Sequence, residues 1–415
     1  MNIKSLLLGS AAALVAITGA RAADAVVVAE PEPVDYVRVC DVYGKGFYYI
    51  PGTETCLSVG GYVRFQYNVA GDPARNLEGD DYQAGSSVRA RLNFDAREET
   101  ELGTLRAFAR VQAQNNTVSQ PDSALGASYV MDQAYIQLGG LLVGYRDSLW
   151  TSGVGGLEDG LLTDSDLVVG DINTNQVSYT FAANGFSATI GLEDDRTGDI
   201  VPDVHAKLVY SGAWGGVYLS AVYDETFNPV NANGITNTIT INGVPISLVG
   251  LYPTLLQDGN NDAFALKGGV LLKDLIAADS QLKIEGHYAF DPTVYAGITA
   301  INTVTTLSTN QLTNAGVPII LEWAAGAGYA QKFGKLGLAV AGQYGKTFDS
   351  RLVTPINGVT FIGQGEYWAA VGNVGYAITN NFAALGEVSY KNVDFGGPVG
   401  DVDQVAGFLR LQRNF

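Results

Sequence analysis

From Val59 onward the chain repeats one unit, in which about ten residues alternate apolar and polar before a turn or loop. In one stretch Val88, Ala90, Leu92 and Phe94 fall on one face, and Ser87, Arg89, Arg91, Asn93 and Asp95 on the other. The next gives Leu105, Ala107, Ala109 and Val111 against Arg106, Arg110, Gln112 and Gln114. Successive side chains of a strand point to opposite faces, so each stretch predicts a two-faced β-strand. A soluble sandwich alternates in the same way, so the period alone leaves two architectures open.

Three features separate them. The apolar face stays small and aliphatic along the whole chain, as in Ala188/Ile190/Leu192, Leu282/Ile284 and Leu409/Leu411, while the other face is very polar. Lipid outside and water inside a transmembrane barrel produce that distribution. Connections alternate between short ones, such as Asn184-Gly185, Gly334-Lys335 and Thr379-Asn380-Asn381, and long ones near 226–262, 291–317 and 348–364. Short periplasmic turns and long external loops are the outer-membrane pattern. All 13 prolines fall outside the proposed strands. A proline there would leave a ladder bond unmade in hydrocarbon, which costs several kcal/mol.

The expected fold is therefore all-β, a transmembrane antiparallel barrel of about sixteen strands. The strands centre near residues 64, 91, 109, 135, 143, 179, 190, 208, 220, 268, 286, 326, 341, 371, 387 and 410. Aromatic residues fall at many strand ends, including Tyr67, Tyr145, Trp214, Tyr223, Phe290, Phe333, Phe382 and Tyr390. Such placement suits two interfacial girdles.

The N-terminus sets the compartment. Lys4 precedes an apolar run from Leu6 to Ala20, which ends in Ala20-Arg21-Ala22. The run is shorter than the ~18 residues of a spanning helix and reads as a secretory signal peptide cleaved before Ala23. The expected division is a signal peptide over 1–22, a periplasmic segment over 23–57 and the barrel over 58–415. An exported chain meets an oxidising compartment, so Cys40 and Cys56 are expected to form a disulfide worth ~3 kcal/mol on the chain-entropy model. The two histidines, His205 and His287, are too far away in sequence to complete a metal site with them, and no cofactor or metal is expected. A net charge of −18 disfavours a nucleic-acid partner.

Four stretches carry a family likeness: the leader MNIKSLLLGSAAALVA, the segment YVRVCDVYGKGFYYIPGTETCLSVGGYVRF, the turn ETELGTLRAF and the terminal LQRNF. In these the chain resembles the alphaproteobacterial porins, the group that includes the major outer-membrane porins of brucellae and rhizobia. The resemblance implies a sixteen-stranded homotrimer embedded in outer-membrane lipid and lipopolysaccharide, with its third long loop folded into the pore. That loop should span about Arg146 to Asn173 and carries Asp147, Glu158, Asp159, Asp164, Asp166 and Asp171. Its glycines, GVGGLEDG, permit a tight inward fold. Arg64, Arg89, Arg91, Arg106 and Arg110 lie on the polar face of the first strands, and barrel closure brings Arg410 beside them. A basic wall opposite an acidic loop would set a transverse field across a narrow water channel.

The function expected is a general-diffusion porin, a passive water-filled channel for small hydrophilic solutes and ions. The alternatives are a barrel without a channel, serving as an adhesin or structural protein, and an outer-membrane hydrolase. No G-x-S-x-G elbow or H-E-x-x-H motif is present, and Gly345-Lys346-Thr347 lacks the leading glycine of a phosphate loop. No enzymatic activity is expected. A ring of about sixteen strands is too wide for side chains alone to fill, which favours a channel.

Overall fold

The computed structural model describes residues 38–71, 82–116, 128–167, 172–195, 198, 200–225, 238–241, 244–247, 262–298, 304–308, 311–314, 319–348, 350–353, 360–394 and 401–415. The proposed signal peptide and Asp171 lie outside them.

Sixteen long strands form a closed antiparallel ring. In chain order they are β1 (Cys56–Gly71), β2 (Tyr82–Thr100), β3 (Gly103–Asn116), β4 (Ser128–Leu138), β5 (Leu141–Asp147), β6 (Asn173–Ala183), β7 (Phe186–Glu193) and β8 (Asp203–Gly212). The second half comprises β9 (Gly215–Asp224), β10 (Ala263–Lys273), β11 (Ser280–Ala289), β12 (Ile319–Phe333), β13 (Leu336–Thr347), β14 (Glu366–Thr379), β15 (Phe382–Asp394) and β16 (Asp401–Asn414). Every expected strand centre falls inside one of them. Each strand pairs with its neighbours in sequence, and β16 closes on β1 from Tyr62↔Asn414 to Ala70↔Ala406. Phe415 extends that seam by exchanging two backbone hydrogen bonds with Gly61, each 3.0 Å. Closure matters because hydrocarbon offers no partner to an open sheet edge.

Connections alternate as expected. Glu101-Leu102, Gly139-Gly140, Asn184-Gly185, Ala213-Trp214, Gly334-Lys335 and Asn380-Asn381 make two-residue turns at one end. Asn184 (φ 51°) and Gly185 (φ 80°) both have positive φ, the requirement of the primed turn that matches strand twist. Long connections lie at the other end. None of the 13 prolines sits in a barrel strand; Pro245 lies in a separate hairpin, Thr238–Ile241 with Val244–Ser247.

Burial is inverted relative to a soluble protein. Leu409 is 57% exposed on the outer face, whereas Lys207 is 1% exposed within the lumen. Val63, Phe65, Val88, Leu92, Ile190, Leu192 and Ile284 are exposed with Leu409, forming an outward apolar band. Alternation is weakest in β5 and β8, and the structure supplies the reason. Leu142 of β5 points inward against Phe108 and Tyr135, and Val209 of β8 packs against Leu157 and Tyr218. At these places an apolar inner surface replaces water.

Cys40 and Cys56 are bonded, with Cα atoms 6.0 Å apart. The bond anchors the segment from Val39 to the first residue of β1, so the expected boundary at 57/58 falls two residues inside that strand. Strand Phe47–Tyr49 pairs with β1, and Phe47 buries beside both cysteines with Tyr43 and Tyr49 against them. The Arg97 guanidinium lies over the rings of Phe47 (5.1 Å) and Tyr43 (5.6 Å).

Candidate functional site

The third long connection joins β5 to β6 and does not lie on the rim. It enters the barrel, and the reasons are local. Leu149, Trp150, Leu157, Leu161 and Leu167 are all buried, so the loop carries its own apolar face. Trp150 packs among Val222, Ala265, Ala289, Tyr295, Ala296 and Ile320. Two glycines permit the approach. Gly155 has φ 79°, and its missing side chain leaves room for Val209 and Ser187 of the wall. A Cβ on Gly328 of β12 would run into the carbonyl of Leu161.

Charged wall residues then tie the loop down along one side. Lys207 donates to the carbonyls of Ser152 and Leu157, and Lys283 donates to that of Glu158. Lys267 pairs with Asp159 at 3.2 Å, and Glu285 accepts from the Gly160 amide at 3.3 Å. Burial pushes the Asp159 carboxyl above the usual carboxylate range, with Lys267 acting against it. Further along, Glu387 of β15 accepts from the amides of Asp164 and Ser165, each at 2.8 Å, and from Asn373 Nδ2 at 2.9 Å. Tyr367 donates to the Leu167 carbonyl, and Lys391 donates to that of Asp166 at 3.0 Å. Loop and wall are therefore packed together on this side, where a pocket of only about 20 Å³ remains between Asp159, Leu161, Lys267 and Glu285.

The other side is open. A cavity of about 490 Å³ is bounded by Asp164 of the loop and by Arg64, Arg89, Arg91 and Arg410 of the wall, with Tyr62, Gln66 and Gln114 among its neutral lining. Arg410 grips Asp164 with both terminal nitrogens, Nη2 at 2.6 Å from Oδ2. Tyr62 presents its ring to Arg64 (4.8 Å) and Arg91 (5.2 Å).

The expected set of charges divides accordingly. Of the loop carboxylates, Asp164 is brought to the arginine wall. Asp147 ends β5 and accepts from Gln133 at 2.7 Å. Asp159 faces the lysine side, Glu158 meets that side through its backbone carbonyl, and Asp166 lines the small pocket there. Arg106 does not reach the cavity; it is held with Arg97 by Asp95. Arg110 and Arg91 share Asp132, at 3.4 and 3.3 Å. Sequence reasoning missed Lys207, Lys267, Lys391 and Glu387 as anchors. Their signal was a charged residue on the polar phase of a strand, which many lumen residues share.

A closed sixteen-stranded barrel with an apolar exterior, a charged lumen and a loop folded into it defines a porin of the outer membrane. Residues 24–405 match the Porin subfamily, and the chain belongs to that family. Among its relatives, Porin Omp2b of Brucella canis is 46% identical over 253 residues, covering 54% of this chain and 67% of that protein. Porin Omp2b of Brucella melitensis is 44% identical over 246 residues, with the same coverage. In fold, the outer membrane channel DcaP of Acinetobacter baumannii matches 88% of this chain and 99% of its own, with TM-score 0.55 and 15% identity. An anion-selective porin from Comamonas acidovorans matches 87% and 100%, with TM-score 0.52 and 11% identity. The likeness to both structures concerns the fold alone. The protein is a general-diffusion porin, a passive channel across the outer membrane.

Proposed function

We propose that small hydrophilic solutes and ions cross through the cavity between Asp164 and the wall of Arg64, Arg89, Arg91 and Arg410, and that this cavity is the constriction. The observation that supports it is the one-sided docking of the loop, packed against the lysine wall and leaving about 490 Å³ beside the arginine wall. Positive charge on one side of a narrow aqueous passage, against Asp164 on the other, orients polar solutes and disfavours apolar ones. Arg110 and the loop carboxylates Asp147, Glu158, Asp159 and Asp166 shape the field from further away, whereas the charge of Arg106 is neutralised by Asp95. In this reading the mature chain starts at Ala23 and residues 23–55, ahead of β1, form a periplasmic segment. It assembles as a homotrimer amid outer-membrane lipid and lipopolysaccharide.

Reversal potential across a planar bilayer under a salt gradient tests the constriction. Arg89→Gln with Arg91→Gln removes positive charge from one wall, so selectivity should move toward cations. Arg91 is already compensated by Asp132, so Arg89→Gln alone should account for the larger part. The shift should be large in dilute salt and shrink at molar salt, since the Debye length falls from ~30 Å at 0.01 M to ~3 Å at 1 M. No movement at low ionic strength would exclude Arg89 from the path.

A further inference from the structure

Within the arginine wall the pairing is unusual. Arg64 of β1 and Arg89 of β2 are direct cross-strand partners, and like charges directly opposite one another destabilise a sheet. The next pair of strands shows how such charge is otherwise handled: Arg97 of β2 and Arg106 of β3 are also cross-strand partners, and there Asp95 neutralises both. At the cavity the partners are glutamines instead. Arg64 Nε donates to Gln412 (2.8 Å), Arg89 Nε to Gln114 (2.6 Å), Arg91 Nε to Gln112 (3.2 Å) and Arg410 Nε to Gln66 (2.7 Å).

A neutral oxygen on Nε fixes each guanidinium plane and leaves its charge intact. Arg410 spends its terminal nitrogens on Asp164, and Arg91 spends Nη2 on Gln112 and Asp132. Among the described residues, the terminal nitrogens of Arg64 and Arg89 have no acceptor. Asp164 offsets Arg410, and Asp132 is divided between Arg91 and Arg110, so among the described residues the two charges of Arg64 and Arg89 have no carboxylate paired with them. Two oriented, unoccupied N–H forks side by side, with their two charges, match a small dianionic oxyanion, because such forks bind carboxylate or phosphate oxygens in pairs.

We infer that Arg64 and Arg89 form a saturable binding site for small dianionic solutes, either phosphates or dicarboxylates. Arg91, Arg410 and their glutamines hold the geometry. The inference rests on the cavity being the solute path. It adds that such anions are captured there, while chloride merely passes.

Single-channel conductance in planar bilayers is the test, with potassium chloride, inorganic phosphate at pH 8 and succinate as the salts. Chloride conductance should rise linearly with concentration. Phosphate, succinate or both should saturate, and which of them does so identifies the source of the dianion. In the Arg64→Gln/Arg89→Gln variant the half-saturating concentration should rise at least about tenfold, the usual scale for losing one charge-assisted contact. Arg106→Gln, whose charge is already held by Asp95, should leave saturation unchanged.

Linear conductance for both dianions in the native protein overturns the binding site while chloride current upholds the channel. No current in any salt overturns both. Equal loss of saturation in Arg106→Gln also overturns the assignment. Should the double variant not assemble, native channels still decide: millimolar phosphate or succinate should reduce the chloride current, and no reduction by either defeats the proposal.

Discussion

Glu387 holds the tip of the inward loop, and Glu387→Gln tests what that hold is worth. The side chain is 3% exposed, and its two oxygens accept three N–H groups. A glutamine keeps the shape but offers a single acceptor oxygen. Asn373 can turn its amide to suit, but the amides of Asp164 and Ser165 cannot both be satisfied. At least one charge-assisted hydrogen bond is lost, at about 1.5–3 kcal/mol. That raises the population of a detached tip roughly 10- to 150-fold. Arg410 still grips Asp164, so the loop does not leave the lumen, and the amount of folded barrel should be unchanged. Partial closures in single-channel records should become correspondingly more frequent. Removing the negative charge should also move the reversal potential toward anions, opposite in sign to the effect of losing Arg89. A closure frequency within about twofold of the native protein, with the same selectivity, would refute the role of Glu387, because that is far below the change expected from one such bond.

Two further outcomes follow from the ends of the barrel. Cys40 and Cys56 should resist alkylation unless reductant is added, which mass spectrometry reads directly, and Cys56→Ser should expose the segment from Val39 to Thr55 to protease as about 3 kcal/mol of constraint is lost. Deleting Phe415 removes two backbone hydrogen bonds from the β1–β16 seam, so less folded barrel should accumulate in membranes, as heat-modifiable electrophoretic mobility reports; normal insertion with poor conduction would contradict this.

The sequence by itself determined the barrel. Lipid on one side of a strand and water on the other act on each residue separately, so the choice of Val88, Leu92 or Leu409 against Arg89, Arg91 or Arg410 can be read without knowing any partner. Turn chemistry is equally local, as Asn184-Gly185 shows. What only the tertiary structure decided is which lumen charges meet. Asp159, Asp164 and Asp166 are alike in sequence, yet Asp159 reaches Lys267, 108 residues away, and Asp164 reaches Arg410, 246 away across the closed seam. Those meetings depend on how deep the loop enters, which is set by apolar packing of Trp150 and Leu157 and by the room left at Gly155 and Gly328. The alternation pattern is silent on that depth, because it records the solvent each face meets and not the segment that later covers it.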